Sequence, residues 1–185
     1  MAVQAPSGGT RGAVEADPRH HRDAVAFDDL YEAECQAMLA LAYKLTGSHP
    51  EAEDLVQDAF LRLHQQWSSV ASYDRPGAWV RRVVVNLATS RSRRLRTRAR
   101  AVAPFQRQPD HTTESLSAST LEFWRAVRSL PRRQAQVVAL YYEADHPVSE
   151  VAQILGCAEG TVRAHLHAAR QALAARLGED DGGAP

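Results

Sequence analysis

Ten arginines and no acidic residue lie between Arg75 and Pro109. Guanidinium groups bind phosphate through paired N–H donors, so this composition is typical of a surface that binds nucleic acid. The chain as a whole is formally neutral, with 22 basic and 22 acidic residues, and its basic residues are therefore segregated. Segregated like charge repels itself, and a polyanion relieves that repulsion. A solvated basic linker is the alternative, because charge alone identifies no partner.

The acidic residues are concentrated nearer the N-terminus. Eleven of them lie between Glu15 and Asp58, against three basic residues, Arg19, Arg22 and Lys44. A surface of this sign repels nucleic acid and suits a basic protein instead. The charge pattern therefore predicts two kinds of partner, a polyanion and a protein.

The sequence contains none of the common catalytic or metal-binding motifs. Its eight histidines form no His-Glu-x-x-His pattern, Cys35 and Cys157 form no Cys-x-x-Cys pair, and no glycine-rich phosphate loop is present. We therefore expect no catalytic site, no metal and no cofactor.

No apolar run approaches the roughly 20 residues that span a bilayer, and the N-terminus lacks the apolar core of a secretory signal. These features predict a cytoplasmic protein without membrane insertion.

The elements that position the charged residues are helical by pattern. Apolar residues recur at three- and four-residue steps over 27–45, 55–67 and 79–88. Ser48 and Glu51 form a capping box at the second of these helices, and Pro76 opens the third. We expect the three helices to form one bundle and the third to fray after residue 93. A polar stripe on the third helix consists of Arg82, Asn86, Thr89 and Arg93.

The C-terminal part has the pattern of a helix-turn-helix. A short helix is predicted over 148–155, a turn over 156–158 and a longer helix over 159–177, with Ala152 allowing a close crossing and Gly156 turning the chain. The longer helix has an outward face, and in a recognition helix this face meets the major groove. On that face we expect Arg163, Ala164, His167 and Arg170. An ordinary helical hairpin with the same small-residue crossing is the alternative.

These patterns predict an all-α protein of two small helical domains joined by a flexible linker. We expect a disordered N-terminal extension over residues 1–24 and a helical bundle over 25–96. The linker, with Pro104 and Pro109, spans 97–118, the helix-turn-helix domain spans 119–178, and a disordered tail spans 179–185.

The order and spacing of the motifs resemble the extracytoplasmic-function (ECF, group 4) sigma factors of bacterial RNA polymerase, SigE-like in type, over about residues 25–178. Residues 51–63 (EAEDLVQDAFLRL) resemble the sigma-2 helix that docks on core polymerase, and residues 75–88 (RPGAWVRRVVVNLA) resemble the helix that reads the −10 element. Three segments resemble sigma-4: residues 130–138 (LPRRQAQVV), 150–156 (EVAQILG) and 160–163 (GTVR). The resemblance implies that the bundle is a sigma-2 domain and that the helix-turn-helix is a sigma-4 domain.

The resemblance also implies roles for individual residues. Contact with the polymerase clamp is implied for Asp54, Gln57, Asp58 and Leu61. Helix capping and solubility are the alternative role of these acids, and they account for Glu51 and Glu53 better than docking does. Contact with the −10 element is implied for Arg81, Arg82 and Asn86, with a flipped base received by Ser72, Tyr73 and Asp74. An asparagine amide can read a base edge, whereas arginine mainly holds phosphate. Tyr73 as a partly buried loop anchor is the alternative reading. The −35 contacts fall to Arg163, Ala164, His167 and Arg170.

The implied function is that of a promoter-recognition subunit. It would bind the clamp and flap of core RNA polymerase, recognise promoter DNA at −35 and −10 and direct transcription initiation, while the polymerase supplies the catalysis. An anti-sigma factor is a common partner in this family. A stand-alone helix-turn-helix regulator is the alternative, but it leaves the acidic helix unexplained.

The sequence departs from the family at His165, His167 and Ala168, where many members carry basic residues. It also departs at Ala158, where a Ser or Thr cap is usual and worth about 1 kcal/mol.

Overall fold

The computed structural model describes residues 18–101 and 117–180, and every regular element in those ranges is helical. In chain order the elements are α1 (Pro18–Thr46), α2 (His49–Gln65), α3 (Trp67–Val70), α4 (Pro76–Ala101), α5 (Ala118–Ser129), α6 (Arg132–Val138), a π turn (Ala139–Glu143), α7 (Val148–Leu155) and α8 (Glu159–Asp180). We call α1–α4 the N-terminal bundle and α5–α8 the C-terminal domain. The predicted all-α architecture is confirmed.

Several element boundaries differ from the sequence prediction. α1 begins at Pro18, inside the extension predicted to be disordered, because proline is well suited to the first turn of a helix. α4 does not end near residue 93 but continues to Ala101, in keeping with the strong helix propensity of arginine, leucine and alanine. α2 ends at Gln65 and a separate short helix, α3, begins at Trp67, whereas the apolar repeat over 55–67 predicted one continuous helix. The predicted extension, linker and tail otherwise lie outside the described residues.

The N-terminal bundle is formed by α1, α2 and α4, each packed on the other two. The chain turns between α1 and α2 at Gly47, whose φ of 75° is in the left-handed region. Ser48 then caps α2, its side chain accepting a hydrogen bond from the backbone N–H of Glu51 at 3.5 Å. The bundle core comprises Met38, Leu41, Leu45, Leu55, Val56, Phe60, Leu63, Val80, Val84 and Val85.

The C-terminal domain contains the predicted helix-turn-helix. Gly156 ends α7 with a φ of 66°, and the backbone N–H of Cys157 donates to the Ala152 carbonyl at 3.0 Å. The inward face of α8 is apolar and buried at Val162, Leu166, Ala169 and Leu173. This face fixes the rotation of α8, so that its opposite face is exposed.

The two parts of the molecule share one hydrophobic core. α4 packs on α6 and α7, while α1 packs on α5 and the π turn. Buried residues of both parts form a single continuous cluster. The sequence predicted the two helical parts but not this packing between them. No helix in residues 18–101 or 117–180 is both long and apolar enough to cross a membrane.

Candidate nucleic-acid interface and docking surface

The acidic helix α2 presents its predicted docking residues to solvent. Asp54, Gln57, Asp58 and Leu61 are all exposed, and Leu61 is 53% exposed despite being apolar. The Asp54 carboxylate lies 3.8 Å from Arg91 Nη2 of α4, an exposed ion pair that stabilises the fold little. The four side chains thus form a surface of mixed acidic and apolar character on one helix.

An apolar groove of about 480 Å³ lies beside these residues, between α1 and α2. Gln57 and Leu61 line it together with Tyr31, which is 44% exposed and packs edge-on to Phe60 at 4.7 Å between ring centroids. A hydrogen bond with the Cys35 thiol raises the pKa of Tyr31. Sequence reasoning missed Tyr31 as a surface residue, because its position in the helical repeat of α1 indicated core.

Asn86 is not free in this structure. It is half-buried on α4, and its Oδ1 accepts hydrogen bonds from Gln136 Nε2 at 2.9 Å and from Arg132 Nη2 at 2.7 Å, both on α6. Thr89, one turn further along α4, is buried and accepts from Gln136 Nε2 at 3.1 Å. The part of the polar stripe of α4 that contains Asn86 and Thr89 therefore faces the C-terminal domain.

The two arginines predicted to accompany Asn86 lie in different environments. Arg81 is half-buried and pairs with Glu34 of α1, its Nη2 2.6 Å from Glu34 Oε2. Arg82 is exposed and lies against the turn of the helix-turn-helix, where a Cβ added to Gly156 would meet its Nη1 at 3.2 Å. Arg81 therefore joins α4 to α1, whereas the Arg82 side chain remains exposed beside the turn.

The loop before α4 leaves its predicted site residues accessible. Ser72, Tyr73 and Asp74 are exposed, and Tyr73 is 49% exposed. The Ser72 hydroxyl donates to the Ser69 carbonyl at 2.8 Å and so ties the loop to α3. The Tyr73 ring is available for stacking on a planar group.

The predicted −35 residues share the exposed face of α8. Arg163, Ala164, His167 and Arg170 are all exposed. Arg163 is held by Glu159 one turn earlier, with 2.6 Å between Nη2 and Oε2. Glu159 and Arg163 both lie at the N-terminal end of α8, so the ion pair holds a guanidinium there. In a helix-turn-helix, this is the end of the second helix that contacts base edges in the major groove.

Arg170 is engaged by tyrosines at the end of the π turn. Its Nε donates to the Tyr142 hydroxyl at 2.9 Å, and its guanidinium lies 5.9 Å from the ring centroids of both Tyr141 and Tyr142. The hydrogen bond with Tyr142 raises the pKa of Arg170. These contacts orient Arg170 at the rim of the exposed face, a constraint that helix periodicity did not reveal.

Among the residues the structure describes, no group of three or more His, Cys, Asp or Glu side chains is arranged to hold a metal ion.

Comparison with known proteins gives two matched regions. Residues 30–99 match the family described as Sigma-70 region 2, and residues 120–173 match Sigma-70, region 4. The ECF RNA polymerase sigma factor SigM of Mycobacterium tuberculosis is 31% identical over 159 residues, which cover 84% of this chain and 79% of SigM. The RNA polymerase sigma-E factor of Streptomyces avermitilis is 27% identical, over 87% of this chain and 90% of that protein.

A solved structure has the same fold. The sigma factor RpoE of Bartonella quintana, in complex with the anti-sigma factor NepR, aligns with a TM-score of 0.61 at 24% identity and covers 82% of this chain and 96% of that one. The region 2 match falls on the N-terminal bundle, and the region 4 match falls on the C-terminal domain.

Proposed function

Because the chain belongs to the ECF sigma factors of the sigma-70 family, we propose that it binds core RNA polymerase in the cytoplasm and directs initiation at promoters whose −10 and −35 elements it reads. The N-terminal bundle is then its sigma-2 domain and the C-terminal domain its sigma-4 domain. The observation that carries the proposal is the presence of both family regions, in order, on a chain with separate acidic and basic segments.

The acidic face of α2 suits a basic surface on the polymerase clamp. Asp54 and Asp58 provide charge, and Leu61 with the adjacent groove provides apolar contact. Such a combination favours a protein partner over DNA, because phosphate would be repelled by both carboxylates. The same face is available to an anti-sigma factor, which would compete with polymerase.

The DNA contacts divide between the two domains. In sigma-2, Asn86 supplies an amide that can read a base edge, Arg82 supplies charge for the backbone, and Tyr73 supplies a ring on which a base can stack. In sigma-4, Arg163 at the start of α8 supplies a guanidinium that can contact a guanine edge in the −35 duplex. Contacts in both domains explain how a helix-turn-helix with few fixed charges can still select a promoter.

Run-off transcription on a genomic promoter library tests this function. Core polymerase supplied with the chain is expected to yield transcripts whose templates share a −10 and a −35 motif, whereas core polymerase alone is not. A chain that neither copurifies with core polymerase nor selects any promoter would instead be a stand-alone DNA-binding regulator.

A further inference from the structure

The contact between α4 and α6 is centred on a buried glutamine. Gln136 is 0% exposed, and its Nε2 donates both to Asn86 Oδ1 at 2.9 Å and to Thr89 Oγ1 at 3.1 Å. Arg132, one turn earlier on α6, donates to the same Asn86 oxygen at 2.7 Å. Two N–H donors from the sigma-4 domain thus occupy the acceptor of the residue assigned to read DNA.

These donors have the chemistry of a base edge. An asparagine carboxamide recognises adenine by accepting from its exocyclic N–H and donating to a ring nitrogen. Gln136 and Arg132 offer the Asn86 oxygen the same kind of N–H group, so the oxygen cannot accept from a base at the same time. We propose that Gln136 and Arg132 form an internal latch that takes the place of the promoter base at Asn86, so that the free chain binds the −10 strand only after α6 has moved away. The latch rests on the proposed function, since it assumes that Asn86 reads DNA.

Two neighbouring basic residues also contact the same domain, although their side chains remain exposed. Arg82 lies against Gly156, and Arg75 Nη1 lies 3.1 Å from Glu150 Oε1 on α7. Glu150 places negative charge where a phosphate would otherwise approach, and so opposes DNA at this face. In the closed chain, an amide and two arginines of the −10 face therefore meet the sigma-4 domain rather than solvent alone.

Opening the latch requires a partner, because the two domains also share an apolar core. The hydrogen bonds of the latch exchange for water at little net free energy, whereas the apolar contacts between the domains lose burial when α6 withdraws. A partner that engages both domains in the open arrangement shifts the equilibrium by its differential affinity for that arrangement. Core polymerase, contacting sigma-2 and sigma-4 at separate surfaces, is such a partner.

The decisive variant is Arg132→Ala in the full chain without polymerase. Loss of an arginine normally weakens binding to nucleic acid, but here it removes a competitor for Asn86. We expect the variant to bind a fluorescein-labelled single strand carrying the selected −10 motif about tenfold more tightly than the wild type, the factor associated with one lost charge-assisted hydrogen bond. Fluorescence anisotropy measures the affinity, and small-angle X-ray scattering should show a larger radius of gyration.

Arg176→Ala is the matched control, because Arg176 is exposed on α8 away from this contact. It should leave the strand affinity unchanged or slightly lower it. Gln136→Ala removes the other donor and should also tighten binding. Since Gln136 is buried, circular dichroism must show native helix content for that variant to count. Arg132 is exposed, so its variant decides the matter even if Gln136→Ala does not fold.

Unchanged affinity and unchanged radius of gyration in Arg132→Ala would overturn the latch. Run-off transcription with the wild-type chain separates this failure from failure of the proposed function. If the wild-type chain selects promoters and Arg132→Ala behaves as wild type, the latch is wrong and the proposed function stands. A chain that selects no promoter loses the proposed function and, with it, the role assigned to Asn86.

Discussion

A single carboxamide serves two alternative partners at Asn86. In the closed chain its oxygen accepts from Arg132 and Gln136 at 2.7 and 2.9 Å, and the same oxygen is proposed to accept from a promoter base once these donors leave. On that proposal the residue is under two constraints, since its carboxamide would have to fit both a protein interface and a base edge. The half-buried state of Asn86 reflects its contact with the protein interface and gives no information about a base contact.

Replacement of Asn86 separates the two roles. We expect Asn86→Ala to lower run-off transcription from the cognate promoter by about tenfold or more, since a specific amide–base contact is worth about 1–3 kcal/mol. Affinity for core polymerase, measured by copurification or anisotropy, should not fall. Gln136→Ala is the matched control, because it breaks the same interdomain hydrogen bond yet keeps the reading amide. Equal loss of transcription and polymerase binding in Asn86→Ala would contradict a base-reading role.

Arg163 lies near the start of α8, the helix proposed to contact the −35 duplex. Its pairing with Glu159 at 2.6 Å restricts a long exposed side chain near the helix start, which lowers the entropy lost when it binds a base. We expect Arg163→Ala to weaken binding to a −35 duplex by about tenfold or more. Anisotropy with duplex DNA measures this, and Arg176→Ala provides the control. Equal affinities for the two variants would remove Arg163 from the interface.

At the scale of elements, the turn between α7 and α8 depends on the backbone conformation of one glycine. Gly156 has a φ of 66°, and an added Cβ would meet Arg82 Nη1 at 3.2 Å. The left-handed conformation costs an L-residue roughly 1–2 kcal/mol. We therefore expect Gly156→Ala to lower the melting temperature by several degrees.

Gly160→Ala is the matched control for the turn. Gly160 lies in the first turn of α8, and a Cβ there would meet nothing within 4 Å. Alanine is favoured over glycine in a helix by roughly 0.5–1 kcal/mol, so this variant should keep or raise the melting temperature. Thermal denaturation followed by circular dichroism measures both variants. A Gly156→Ala chain as stable as Gly160→Ala would show that the turn does not require the left-handed conformation.

Local patterns predicted those elements whose signals are themselves local. Gly156 and the apolar repeat of α8 gave the helix-turn-helix, because a left-handed cap and helical periodicity depend only on residues close in sequence. The early start of α1 at Pro18 and the late end of α4 at Ala101 were missed, since composition marks helix ends poorly. The contact of Gln136 with Asn86 joins residues 50 positions apart, and no local pattern reports such a pairing.

Across the whole molecule, charge and apolar exposure distinguish the face proposed to dock on polymerase from the face proposed to bind DNA. Leu61 is 53% exposed beside the groove between α1 and α2, so its removal should cost the fold little. We expect Leu61→Ala to weaken association with core polymerase by about tenfold, as for an apolar anchor at an interface, with no change in melting temperature. Gln65→Ala, also exposed on α2, is the control. Normal polymerase affinity in Leu61→Ala would place the docking surface elsewhere.

The shared core predicts how the whole chain unfolds. Buried residues of sigma-2 and sigma-4 form one continuous cluster, and α1 and α4 both pack across the domain boundary, so neither domain can unfold without exposing part of the other. We expect the wild-type chain to unfold in one calorimetric transition whose van't Hoff and calorimetric enthalpies agree. Arg132→Ala combined with Gln136→Ala, which removes the latch, should split or broaden that transition because the domains become less coupled. Two resolved transitions in the wild type would show that the domains are already independent and that the closed arrangement does not dominate in solution.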